Sequence, residues 1–240
     1  MKRKVEVCFS PAIFATQHRD DQVVVVVDIF RASSAICYAF ANGVQEIIPI
    51  EDVEEARRYK EDGYLVACER KGIKADFADF DIGPENFTPD VVLGKTLIYS
   101  TANGTKTIQK AALCKRVVIG SYLNLTALAN WLVRQDSDVI ILCSGWKNRF
   151  CLEDSVFAGA LVEQLLRTDR FTTECDSALA SLDLWAMAEK DLLGYIEKAS
   201  QRGRLRNYKM DSSIKLCHTL DLAKIIPVLK SGKLVVESYI

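Results

Sequence analysis

Five consecutive valines, Val23 to Val27, run straight into Asp28, and Arg31 follows three residues later. An unbroken β-branched run belongs to a strand covered on both faces, as in the middle of an α/β sheet. Asp28 then stands at the carboxyl end of that strand, and ligands of open α/β sheets bind in the crevice outside those ends. A carboxylate and a guanidinium there can hold a divalent cation and an anionic group side by side. The same residues also fit a plainer arrangement, with Asp28 capping the next helix and Arg31 on its exposed face.

The rest of the chain repeats the pattern around this strand. Residues 4–9 form a short strand by alternation, and 32–41 a helix closed by Asn42-Gly43. A strand over 45–50, a charged helix over 53–60 and a strand over 64–68 continue the βαβ rhythm. That rhythm predicts an α/β fold with a largely parallel sheet and right-handed crossovers. Residues 69–89 break it with about twenty residues of little periodicity, a length more often functional than incidental. With Phe77, Phe80 and Phe87 among acids, the segment is expected to be a lid or wall of a pocket. Strands at 96–101, 116–120 and 138–143 alternate with helices at 104–112, 125–134 and 152–166. Residues 171–216 are helical in tendency, and 225–228 with 233–236 form a final strand pair. No repeat or linker interrupts the 240 residues, which are expected to fold as a single domain.

Composition narrows the partners. There are 31 basic and 32 acidic residues, so the chain lacks the basic excess of a phosphate-backbone binder, and nucleic acid is not expected. No apolar run approaches the ~18 residues of a membrane span, and Met1 to Phe9 is not a signal sequence. The 8 cysteines are scattered without a Cys-x-x-Cys pair, as befits reduced thiols in a cytoplasmic protein. Only His18 and His218 are present, so His-based triads and metal sites have little to draw on. The expected partner is a small anionic molecule, with a homo-oligomer compatible.

Four strand-to-loop junctions carry chemistry: Asp28 to Arg31, Glu69 to Gly72, Ser100 to Lys106 and Cys143 to Arg149. In a parallel sheet all four fall on one rim. Asp28, Glu69, Glu153 and Asp154 then sit beside Arg31, Arg70, Lys71, Lys106, Lys147 and Arg149, a mixture suited to a hard cation and a phosphate- or carboxylate-bearing ligand. Surface salt bridges are the alternative. The loop Thr101-Ala102-Asn103-Gly104-Thr105 can present backbone N–H groups to an anion, or can be a simple helix cap. Cys143-x5-Arg149 has the layout of a cysteine phosphatase loop, in which a thiolate attacks phosphorus, although Leu142 and Phe150 replace the usual flanking residues. Haloacid-dehalogenase chemistry fits less well, because position 30 is Phe where a second acid is needed.

Together these motifs resemble the 2-phosphosulfolactate phosphatase family. The resemblance lies in VVVDIFRASSAI (25–36), CERKGIKADFADFDIGPENF (68–87), STANGTKTI (100–108), CSGWKNRFCLEDSVFAGAL (143–161) and SSIKLCHTLDLAKIIPVLKSGKLV (212–235). Lys71, Ala75, Ser33-Ser34-Ala35, Trp146 and Asn148 depart from the usual pattern and leave the acidic and basic positions intact. The resemblance implies a three-layer α/β/α sandwich with a mixed, mostly parallel sheet. It also implies a Mg²⁺-dependent phosphatase that releases phosphate from 2-phospho-3-sulfolactate in coenzyme M biosynthesis. On this reading Asp28, Arg31, Glu153 and Asp154 are catalytic. Asp28, Glu69, Glu153 and Asp154 supply the Mg²⁺ ligands. Arg70, Thr101, Asn103, Gly104, Thr105, Lys106, Ser144 and Arg149 bind substrate. Two rivals remain open: a metal-free cysteine phosphatase using Cys143 and Arg149, and a non-catalytic binder of an anionic metabolite.

Overall fold

The structure, a computed structural model, describes residues 2–205 and 210–237. In chain order the elements are β1 (Arg3–Cys8), α1 (Phe14–Gln17), β2 (Val23–Val27), α2 (Ala32–Ala41), β3 (Glu46–Pro49), α3 (Val53–Glu61), β4 (Leu65–Arg70), β5 (Ile73–Lys74), α4 (Pro89–Val92), β6 (Thr96–Ser100) and α5 (Gly104–Ala111). They continue as β7 (Arg116–Gly120), α6 (Leu125–Arg134), β8 (Val139–Cys143), α7 (Leu152–Leu166), β9 (Phe171–Thr172), α8 (Asp176–Ala188), α9 (Leu192–Ile196), α10 (Ser200–Leu205), α11 (Asp211–Cys217), β10 (Ile226–Lys230) and β11 (Lys233–Glu237). The expected helical tendency of 171–216 is met by α8 to α11, with residues 206–209 outside the described residues.

The strands join one sheet in the order β5-β4-β6-β3-β11-β10-β7-β2-β8-β1-β9. β2 lies between β7 and β8, parallel to both, as its valines require. Val23, Val25 and Val27 pack against the face covered by α6, α7 and α8. Val24 and Val26 pack against the face that holds α2 and α5. β3, β4 and β6 form a second parallel block, with α3 on its far side. Helices therefore cover both faces, giving the mixed, mostly parallel α/β sandwich expected.

The direction of the second block differs from the expected single rim. The steps β7–β10, β10–β11 and β11–β3 are all antiparallel, so β3, β4 and β6 run against β7, β2 and β8. The hairpin touches its neighbours narrowly, through Val228–Val118 on one side and Leu234–Ile47 on the other. In a flat sheet the five steps from β2 to β6 span about 24 Å. Yet Gly104, just after β6, lies against Asp28, just after β2. The sheet must therefore curl around α2 and α5, and one buried cluster contains side chains of both blocks and both helices. The curl brings strand ends of opposed blocks to one place.

Candidate active site

A cleft of about 910 Å³ opens where these ends meet. Asp28, Phe30 and Arg31 line it after β2, Glu69, Lys71 and Gly72 at the end of β4, Thr101 to Asn103 after β6, and Ser144 and Trp146 after β8. The lysines on its walls are Lys71, Lys106, Lys110 and Lys147.

Asp28 is half-buried, and Ala32 N–H approaches its Oδ1 at 3.4 Å. It is thus both a weak cap of α2 and a wall of the cleft. A Cβ at Gly104 would stand 2.6 Å from Ala32 Cβ and 3.0 Å from Asp28 Oδ2, so the absence of a side chain lets the N-terminus of α5 close on that of α2. Two helix N-termini, each favouring negative charge, therefore flank Asp28. Burial still dominates its titration. With the charges of Glu69 and Glu153 it raises the carboxyl from 3.8 to about 7, against the Ala32 amide and Arg31, which pull it down.

Arg31 is 5% exposed, which excludes the surface position, and its Nη1 lies 3.3 Å from Asp81 Oδ2. The Phe30–Arg31 peptide is cis. Glu69 is buried and joins two loops: Gly72 N–H donates to Oε2 (2.5 Å) and Ala102 N–H to Oε1 (3.2 Å). Asp154 is buried in the first turn of α7 and accepts from Ile29 N–H (2.9 Å) and Gly145 N–H (3.0 Å), tying the loops after β2 and β8 together. Burial and the neighbouring Asp28 charge push Asp154 well above the usual carboxylate range. Glu153, also buried, accepts from the Cys151 thiol at 3.1 Å. Glu153 and Asp154 stand behind the cleft wall, while Asp28 and Glu69 line it.

Among the anion-binding candidates, Thr101, Asn103, Lys106 and Ser144 line the cleft. Ser144 is 2% exposed and its Oγ has no hydrogen-bond partner among the described residues. Thr105 is buried, and its Oγ1 donates to Thr101 O (2.8 Å), so it fixes the loop rather than facing a ligand. Asn103 Oδ1 receives Lys147 N–H at 3.4 Å, linking the β6 and β8 loops.

Two arginines are elsewhere. β4 continues through Arg70, and successive strand side chains point to opposite faces, so Arg70 turns away when Glu69 turns in. Its guanidinium is tied to Glu51 O (2.7 Å) and Ser100 Oγ (2.9 Å) and does not line the cleft. Arg149 is exposed, closing a tight turn with Trp146 through bonds of 3.0 and 3.2 Å. That turn uses positive φ at Lys147 (52°) and Asn148 (59°), and a Cβ at Gly145 would collide with Arg149 O. Cys143 is fully buried in the core beneath α7, and burial pushes its thiol well above 9. A thiolate at the cleft with Arg149 around it, as the cysteine-phosphatase layout needs, is not what the chain builds.

The segment 69–89 forms a wall. Lys71, Gly72 and Ile82 face the cleft. Behind them Cys68 N–H donates to Phe80 O (3.1 Å), Lys60 Nζ to Asp79 Oδ1 (2.6 Å), and Phe87 is fully buried. Sequence reasoning missed Asp81, Lys110 and Trp146. Lys110 was accessible to it, one helical turn beyond Lys106 on the same face of α5. Asp81 had no local signal.

Among the described residues no cluster of three or more His, Cys, Asp or Glu side chains forms a ready metal cage. Mg²⁺ asks for less: it keeps several waters and commonly uses one or two carboxylates plus substrate phosphate. Asp28 and Glu69 on the wall, with Glu153 adding to the negative charge around Asp28, fit that requirement.

A sequence profile described as 2-phosphosulpholactate phosphatase matches residues 8–232. A protein of Caldanaerobacter subterraneus subsp. tengcongensis named probable 2-phosphosulfolactate phosphatase is 35% identical over 213 residues, covering 87% of this chain and 88% of that one. Proteins of the same name from Clostridium novyi and Thermotoga maritima are each 32% identical, over 93% and 90% of this chain and 96% and 92% of their own. With nearly its whole length matched, the chain belongs to the 2-phosphosulpholactate phosphatase family and is an enzyme of the phosphatase class.

Proposed function

We propose that the enzyme hydrolyses 2-phospho-3-sulfolactate, or a closely similar phosphorylated hydroxy acid, to the free acid and phosphate, as in coenzyme M biosynthesis, with Mg²⁺ as cofactor. The observation that carries this reading is the meeting of Asp28, Arg31 and the N-termini of α2 and α5 at one end of a cleft whose other walls carry lysines. The phosphoryl group belongs at the first end, where Arg31 and the Ser144 hydroxyl donate to its oxygens. The carboxylate and sulfonate belong among Lys71, Lys106, Lys110 and Lys147.

Asp28 is the proton carrier. Its carboxylate takes a proton from water as the water oxygen bonds to phosphorus, and the alkoxide released on the opposite side when the ester P–O bond breaks is protonated by solvent. Asp28 and Glu69 would hold Mg²⁺, which would supply charge neutralisation at the phosphoryl oxygens. Asp154 keeps the loops bearing Asp28 and Ser144 in register.

The test is phosphate release from a panel of phosphorylated hydroxy acids, with Mg²⁺ and with excess EDTA. The expected result is release from 2-phospho-3-sulfolactate that EDTA abolishes and Mg²⁺ restores. Activity undiminished by EDTA removes the metal, and binding without turnover across the panel leaves only a metabolite-binding role.

A further inference from the structure

Arg31 is the most buried cation in the cleft, yet the one hydrogen bond of its guanidinium among the described residues is the 3.3 Å contact to Asp81. A guanidinium has five N–H donors. Those not used by Asp81 are available to a ligand, and a buried charge without fixed partners is costly and poorly aimed.

Asp81 is itself held. Its Oδ1 accepts from Gly83 N–H (2.8 Å) and from Asn86 Nδ2 (2.6 Å), which leaves Oδ2 directed at Arg31. The segment carrying it is fastened along α2. At one end of the helix Asp81 meets Arg31; at the other, Asn42 Nδ2 donates to Phe87 O (2.9 Å). Ser213 of α11 adds a bond to Glu85. The two carboxylate oxygens thus divide the work, one locking the turn and one locking the arginine.

We propose that Asp81 is a positioning residue for Arg31, holding the guanidinium so that its remaining donors meet the phosphoryl group and not the acid end of the substrate. The proposal rests on the phosphatase reading for the identity of the ligand. Asp81 does not line the cleft, whereas Arg31 does, so Asp81 acts through the arginine.

Asp81→Asn separates the two tasks. The amide oxygen still accepts from Gly83 and Asn86, while the negative charge facing Arg31 is lost. Binding of orthophosphate and of sulfolactate to the full chain is measured by calorimetry, alongside thermal melting and phosphate-release kinetics. Asp81→Asn is expected to weaken orthophosphate about 10-fold, with sulfolactate changed by less than about twofold. Arg31→Met weakens orthophosphate at least as much, and adding Asp81→Asn to it brings no further loss, because the two act as one unit. Asn86→Ala, which loosens the clamp and keeps the charge, shows a smaller loss in the same direction and serves if Asp81→Asn does not fold. Unchanged orthophosphate binding in a folded Asp81→Asn, a larger loss for sulfolactate, or multiplicative losses in the double variant overturns the proposal. Because the readout is binding, a wild-type protein that binds phosphate without turnover refutes the phosphatase reading and leaves Asp81 still testable.

Discussion

Replacing Asp28 by Asn should make the metal-free protein more stable, in a pH-dependent way. The carboxyl is raised from 3.8 to about 7, first by burial and then by Glu69 and Glu153. A carboxyl whose folded pKa exceeds its unfolded one binds more protons when folded, so stability falls as pH rises between the two values. The penalty is absent below about pH 4 and complete above about pH 7. That interval corresponds to about 4 kcal/mol, which partial exposure of the side chain reduces to about 2 kcal/mol. Asn keeps the acceptor for Ala32 N–H and loses the charge. In excess EDTA at about pH 8 the variant should therefore melt about 4–8 °C above the parent, and at about pH 4.5 the gain should nearly vanish. Because Asp154 is raised beside Asp28, the titration belongs to the pair, and the variant keeps only the step that Asp154 contributes. Adding Mg²⁺ at pH 8 should raise the parent's melting temperature and leave that of the variant unchanged, since a ligand stabilises only the form it binds. A variant less stable than the parent at pH 8, or an equal gain at both pH values, would refute the electrostatic account of the cleft.

Two further outcomes follow from the site. Cys143→Ser and Arg149→Ala should each keep activity within about threefold, because the thiol is sealed in the core and the guanidinium stands outside the cleft; the serine costs about 1–2 kcal/mol for its buried hydroxyl. An inactive but folded Cys143→Ser, checked by circular dichroism and phosphate release, would restore a thiolate mechanism. Asp154→Ala leaves the Ile29 and Gly145 amides without their acceptor and should cost about 2–6 kcal/mol, measured by denaturant unfolding, with activity falling as the Asp28 and Ser144 loops separate. Full activity in a folded Asp154→Ala would show that the loops need no such tie.

The central strand was legible because composition dictated it: five valines can be satisfied only with apolar neighbours on both faces, and β2 has them. Asp28, Arg31, Thr101, Asn103, Lys106 and Ser144 were legible for a related reason, since each follows the end of an apolar strand. Arg70 and Arg149 were placed by the same logic and failed on a finer scale. β4 runs two residues past the expected end, and alternation sends Arg70 to the other face. Around Arg149, left-handed residues at Lys147 and Asn148 turn the chain out before a phosphate cradle can form. Both outcomes depend on a one-residue parity that hydrophobic pattern does not resolve.

The long-range architecture was hidden for a different reason. Lys230-Ser231-Gly232 announces a hairpin, and Ser231 and Gly232 adopt positive φ there, at 49° and 80°. Nothing local says that this last hairpin inserts between two parallel blocks through single pairings to Val118 and Ile47. That insertion reverses the strand sense and obliges the sheet to curl, and the curl is what makes the cleft. In a flat parallel sheet Asp28 and Gly104 would be strands apart, Glu69 could not reach the Ala102 amide, and Asp28 would sit in ordinary solvent with an ordinary pKa. The raised carboxyl is thus a product of topology: the curl buries Asp28 and brings Glu69 of the opposed block near it, both of which raise it, while the Ala32 amide at the start of α2 and Arg31 pull it back, with Mg²⁺ completing the relief in our reading. The chemistry of the site and its cost to stability have one physical origin.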